Sequence, residues 1–236
     1  MSPDSRCLPY QVHLLTLGLE VFDGSATSLG GNGLYDPVPN GTYTTVNGDS
    51  LPGGTGGGCV ATGPFANHTI YFLRTNFDNV FTGLPDNWTE PDPHCLTRDL
   101  NDWGDQKFLN QSDIDYMMAK QTVGDFNADV SGYADSPGLH GGGHYVIGGT
   151  VYEFFSSPQD PAFYLHHSMV DKLWSDWQAI DPANRRYVYN GTSTIFNGNS
   201  TLEVTNSTVL SFGLLGEATS EEVQDPMSGP YCYKYE

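Results

Sequence analysis

The chemistry legible in this chain rests on histidine. An adjacent pair lies within Asp160-Pro-Ala-Phe-Tyr-Leu-His166-His167-Ser-Met-Val-Asp171-Lys-Leu-Trp174, and about twenty residues upstream His140 and His144 stand in Gly138-Leu-His-Gly-Gly-Gly-His144. Imidazoles at i and i+4 stack on one helical face, within reach of a single metal ion. Either pair alone also fits histidines satisfied inside a core. Together they offer imidazoles from two helices, a donor set that suits copper, zinc, iron or nickel, so ligand type does not select the metal.

The elements that must position these residues follow from capping and periodicity. Asp160 can accept from the free amides of a first helical turn, and Pro161 suits the first helical position. The spacing therefore predicts a helix from here to about Ile180, before Asp181-Pro182. On it Phe163, His166, Val170, Leu173, Trp174 and Trp177 share one face, while Ser168, Lys172, Ser175 and Asp176 share the opposite one. His167 sits beside the apolar face, with Asp171 one turn further on. Three glycines between His140 and His144 cost about 1 kcal/mol each in helix propensity relative to Ala. That helix must depend on packing and metal.

Elsewhere, residues 24 to 64 are rich in Gly, Pro, Asn and Thr without a helical period and read as a long irregular stretch. Residues 65 to 84 carry a short apolar run, Ile70-Tyr-Phe-Leu73. A short helix is expected over Ser112 to Val123 with Met117, Met118 and Ala119 inward. Thr192 to Phe196 and Thr201 to Thr205 read as short strands about an Asn197-Gly198 turn. Tyr231, Tyr233 and Tyr235 alternate, as packing residues of an extended segment would.

His140-x3-His144 followed by Asp160-Pro-x-Phe-x-x-His-His167-x-x-x-Asp171-x-x-Trp174 resembles the second copper half-site of the tyrosinase and catechol oxidase family of type-3 copper proteins. Val21-Phe-Asp-Gly-Ser-Ala-Thr-Ser28, Cys59-Val-Ala-Thr-Gly-Pro64, Cys95-Leu-Thr-Arg-Asp99 and Tyr231-Cys-Tyr-Lys-Tyr235 extend the likeness to fungal members from about residue 20 to the end. The resemblance implies copper as cofactor, His140, His144 and His167 as ligands, and His166 as a neighbour. It also implies oxidation of phenols to quinones by dioxygen taken up between two coppers. Gly141 stands where many tyrosinases carry an Asn thought to help deprotonate monophenols, a departure that favours o-diphenols or o-aminophenols. Tyr145 is a candidate to line the substrate entrance, and Phe163 is a candidate neighbour of the ligands or of the pocket. Asp171 is a candidate acceptor for a ligand histidine, with a solvent-side ion pair as the alternative.

No segment matches the family's first copper half-site. His13, His68 and His94 stand in contexts that do not fit it and read as surface or structural residues. The expectation is a partial domain over residues 21 to 236, behind an atypical N-terminal segment of residues 1 to 20. Its fold would be mainly α with long loops and minor β, holding the second helix pair of the family's four-helix copper bundle. One copper rather than two is expected, and the chain as written is expected to be inactive, either as a partial oxidase or as a non-catalytic remnant binding at most one metal ion.

With 9 basic against 28 acidic residues the net charge is −19, which argues against nucleic acid and anionic membranes as partners. Seven asparagines (Asn40, Asn67, Asn87, Asn110, Asn190, Asn199, Asn206) stand in Asn-x-Ser/Thr sequons, where chance would give roughly two. Secretory ancestry is implied, although the first 20 residues show neither signal peptide nor membrane span. Among the four cysteines Cys59 with Cys95 is the preferred disulfide pair, the others being Cys7 and Cys232.

Overall fold

The computed structural model describes residues 8–10, 21–38, 41–45, 50–74, 82–132, 136–194, 202–227 and 231–235. The helices are α1 (Asp102–Phe108), α2 (Gln111–Met118), α3 (Val123–Ser131), α4 (Gly138–Ile147), α5 (Gly149–Tyr152), α6 (Pro161–Ile180), α7 (Pro182–Arg185) and α8 (Ser220–Val223). Two-residue to four-residue strands pair around them: β1 (Leu8–Tyr10) parallel to β10 (Tyr233–Tyr235), and antiparallel β2 (Gly33–Tyr35) with β5 (Gly57–Val60), β3 (Thr42–Thr44) with β4 (Ser50–Pro52), β6 (Thr69–Ile70) with β7 (His94–Cys95), and β8 (Val209–Ser211) with β9 (Glu217–Thr219). The architecture is mainly α with minor β, as the sequence predicts.

The longest helix, α6, begins as expected. Asp160 accepts from the Ala162 amide and Pro161 occupies the first position. Its buried face carries His166, Met169, Leu173 and Trp177, with Val170 and Trp174 packed at the margin. Trp177 is fully enclosed: its ring tilts onto Phe126, Arg185 covers it at 4.6 Å, and its Nε1 donates to the Lys120 carbonyl. This core of α2, α3, α4 and α6 residues is what holds the metal-bearing helices together.

The expected Ser112 to Val123 helix is two helices instead. Asn110 caps α2 by accepting from the Asp113 amide, and Thr122 caps α3 by accepting from the Asp125 amide. A second cap inside the stretch ends one helix and starts the next. Met117 is buried and Met118 partly so, but Ala119 faces solvent. The Asn197-Gly198 turn and residues 195–201 around it lie outside the described residues; among the described ones the flanking stretches meet in an antiparallel bridge between Thr192 and Glu203. Residues 24 to 64, expected to be irregular, form β2 to β5 and gather on the segment 97 to 101. Asp99 accepts from the amides of Gly54 and Gly56 and from the Tyr43 hydroxyl, and Asn32 accepts from the Leu100 amide. The Cys59–Cys95 disulfide closes this unit. Cys232 is also disulfide-bonded.

Candidate metal centre

Helices α4 and α6 pack directly against each other and bring four imidazoles together. The Nε2 atoms of His140 and His144 lie 3.2 Å apart, and those of His144 and His167 lie 3.1 Å apart. Two imidazole nitrogens each about 2.0 Å from a common ion at a tetrahedral angle are about 3.3 Å apart, so the spacing fits a first-row metal. On its other side the His144 ring approaches the Val151 carbonyl with Nδ1 at 2.6 Å. A carbonyl only accepts, so Nδ1 carries the proton and the bare Nε2 of His144 faces the other two rings. Two neighbours aimed at one lone pair are the arrangement that a cation, shared by all three, satisfies.

His166 is the fourth ring. A ligand nitrogen of His166 falls within 4.8 Å of those of His140 and His144, which makes it a rival to His167 by proximity alone. Its Nε2, however, lies 2.9 Å from the carbonyl oxygen of His140, to which it donates, whereas His167 has the short Nε2 approach to His144. Burial holds all four imidazoles below the ordinary histidine range. His140 is pulled down to about 4, by burial first and by His144 and His167 next; His167 also falls to about 4, by burial and then His144. The hydrogen bond to Val151 partly opposes the fall at His144. At neutral pH the cluster is therefore uncharged and ready to donate lone pairs.

The glycine run is explained by what lies against it. A Cβ on Gly142 would meet Phe108 Cβ at 2.7 Å, and one on Gly143 would strike the His166 ring at 2.1 Å. Gly141 differs, since its Cβ would meet only Pro137 Cβ, at 3.2 Å. Phe163 stacks on His167 with centroids 4.0 Å apart, fixing that imidazole plane.

Two of the predicted pocket residues stand elsewhere. Tyr145 is fully buried, its ring against Tyr43 and Phe108 and its hydroxyl donating to the Pro52 carbonyl while accepting from Asn101. It is a core residue rather than an entrance-lining one, because it lies on the α4 side that packs against α1, where Gly104 leaves it room. Among the described residues Asp171 neither accepts from a ligand histidine nor forms a solvent-side ion pair: Oδ2 accepts from the hydroxyls of Tyr233 and Tyr235. The alternating tyrosines thus do more than pack. His94 contacts the Asp92 carbonyl and His68 is exposed beside Phe65; His13 lies outside the described residues.

Sequence reading missed the buried pair of Arg98 and Asp160. Arg98 donates from Nε and Nη2 to both carboxylate oxygens at 2.8 Å, and from Nη1 to the Leu29 carbonyl at 2.6 Å, with both side chains fully buried. The arginine within the Cys95-Leu-Thr-Arg-Asp99 motif was the available signal, since a buried guanidinium requires a carboxylate.

The family model described as the common central domain of tyrosinase matches residues 11–180. Tyrosinase P of Aspergillus terreus is 39% identical over 229 residues, which cover 91% of this chain and 63% of that protein. Oxidase hkm6 of Aspergillus hancockii is 40% identical over 227 residues, covering 91% of this chain and 78% of that one. A variant polyphenol oxidase from Thermothelomyces thermophila superposes with a TM-score of 0.81 at 32% identity, over 92% of this chain and 61% of its own. The chain thus spans somewhat under two thirds of tyrosinase P and of the solved oxidase.

Proposed function

Because the chain belongs to the tyrosinase family, we propose that His140, His144 and His167 hold one copper ion, the second half-site of an oxidoreductase that converts o-diphenols or related phenols to quinones with dioxygen taken up between two coppers. The observation that carries this is the convergence of three Nε2 atoms at 3.1 to 3.2 Å, with His144 Nδ1 committed to a backbone carbonyl. Among the described residues no carboxylate joins the cluster, and an all-imidazole set accommodates both oxidation states of copper.

Copper in this setting supplies electron transfer from diphenol to dioxygen. Two diphenols give up two electrons and two protons each as one dioxygen becomes two waters. The protein's own part is to present uncharged imidazoles, to hold the His144 tautomer through Val151, and to fix the His167 plane with Phe163. Gly141 leaves no carboxamide beside the first ligand, which supports diphenol over monophenol oxidation. A secretory setting completes the reading: the sequon residues Asn67, Asn87, Asn190 and Asn206 are exposed. No helix among the described residues is long and apolar enough to cross a membrane.

The second reading, a protein that binds one ion without turnover, rests on there being one such histidine cluster among the described residues. Metal analysis with a catechol oxidation assay separates the two. Copper lost in His167→Ala supports the site; a second copper with catechol turnover favours the oxidase, and one copper per chain without turnover favours the second reading. A parent chain that takes up no copper overturns both.

A further inference from the structure

We infer that His166 is a positioning residue of the metal centre, which sets the distance between the two ligand-bearing helices by donating to the His140 carbonyl while seated on Gly143. The inference rests on the proposed copper site and concerns a ring outside its ligand set.

Three observations carry it. His166 Nε2 reaches the His140 carbonyl at 2.9 Å, so α6 is bonded to α4 at the residue that also bears the first ligand. The His166 ring lies parallel to that of His140, 9° between planes and 5.7 Å between centroids, and perpendicular to that of His144. Finally, the ring occupies the volume that any side chain at 143 would need, with Cε1, Nδ1 and Nε2 all within 2.7 Å of an added Cβ. A nearly buried imidazole that spends its donor on a backbone carbonyl has no reason to be histidine unless that bond matters, since an apolar side chain would fill the space without desolvating a polar ring. The glycine that weakens α4 as a helix is the counterpart of the same contact: it lets the two helices approach until His167 Nε2 meets His144 Nε2 at 3.1 Å.

The test uses the full chain with His166→Leu, His166→Gln, Gly143→Ala and the double variant Gly143→Ala/His166→Ala. Copper(II) affinity is measured by competition with a chelator, coordinated imidazoles are counted by pulsed electron paramagnetic resonance, and thermal unfolding is followed without metal. His166→Leu is expected to weaken copper roughly tenfold or more with the imidazole count unchanged, and His166→Gln, which keeps a donor amide, to recover most of the loss. Gly143→Ala should lower the melting temperature, and adding His166→Ala should restore part of it, because the clash needs both partners. A coordinated imidazole lost in His166→Leu would make His166 a ligand and overturn the inference. Unchanged copper affinity would overturn it too, leaving a packing role only. His167→Ala is the control for the site itself: if neither it nor His166→Leu alters copper binding, the copper reading fails, whereas loss in His167→Ala alone refutes only the role of His166.

Discussion

Asp171 accepts the Tyr233 hydroxyl at 2.6 Å and the Tyr235 hydroxyl on the same carboxylate oxygen, so one side chain fastens β10 to α6 a single turn beyond His167. Burial first, and then the bonds and charge of Asp171, raise both phenols above the ordinary tyrosine value.

Alkaline stability follows from that latch. A phenol whose folded pKa is raised contributes stability that is complete below its unfolded value near 10 and is lost as pH climbs past it. The denaturant midpoint should therefore fall steeply above pH 10, and Tyr233→Phe/Tyr235→Phe should flatten the fall while costing about 1–3 kcal/mol at pH 8. An equally steep fall in the double variant would show that the latch is not the titrating unit.

Acid acts through the histidine cluster. The metal-free imidazoles have folded pKa values lowered from 6.5, to about 4 for His140 and His167, so the unfolded chain binds more protons between these limits. Stability should be complete above pH 6.5 and fall as pH drops toward 4. Copper loading should steepen this dependence, since protons then compete with the ion. Unfolding measured from pH 7 to 4, with and without metal, checks both statements.

Arg98→Met leaves Asp160 buried without its partner and should destabilise by about 3–5 kcal/mol; Asp160→Asn added to it should recover part of the loss. Urea titration of the single and double variants provides the comparison. Additive losses would mean that the two residues are not coupled.

Tyr145→Phe removes a hydroxyl bonded to the Pro52 carbonyl and Asn101. The expected result is a loss of about 1–3 kcal/mol in stability with copper affinity unchanged. Weaker copper binding at unaltered stability would restore Tyr145 to the site.

How much of this was legible in sequence depended on range. The Asp160 cap, the Pro161 start and the His140, His144 pair are local patterns, and each holds in the fold. Thr122 was equally local, but the longer apolar pattern hid its cap. Gly143 could not be explained until α6 was laid against α4, because its reason is a ring 23 residues away in sequence. Val151 acts through its backbone carbonyl, which leaves no trace in residue type. Tyr145 and Asp171 were placed by their closeness to ligands along the chain, whereas helical rotation turns one into the core and tertiary packing gives the other to β10.

The Arg98 guanidinium joins Leu29, 69 residues before it, to Asp160, 62 residues after it. The cap that starts the metal-bearing helix is therefore completed only when three distant stretches of chain have met, and closing loops of that length is slow compared with forming the helix itself. Metal capture should accordingly be among the last events of refolding, lagging behind the helical signal, and copper added early should meet histidines that do not yet share a site.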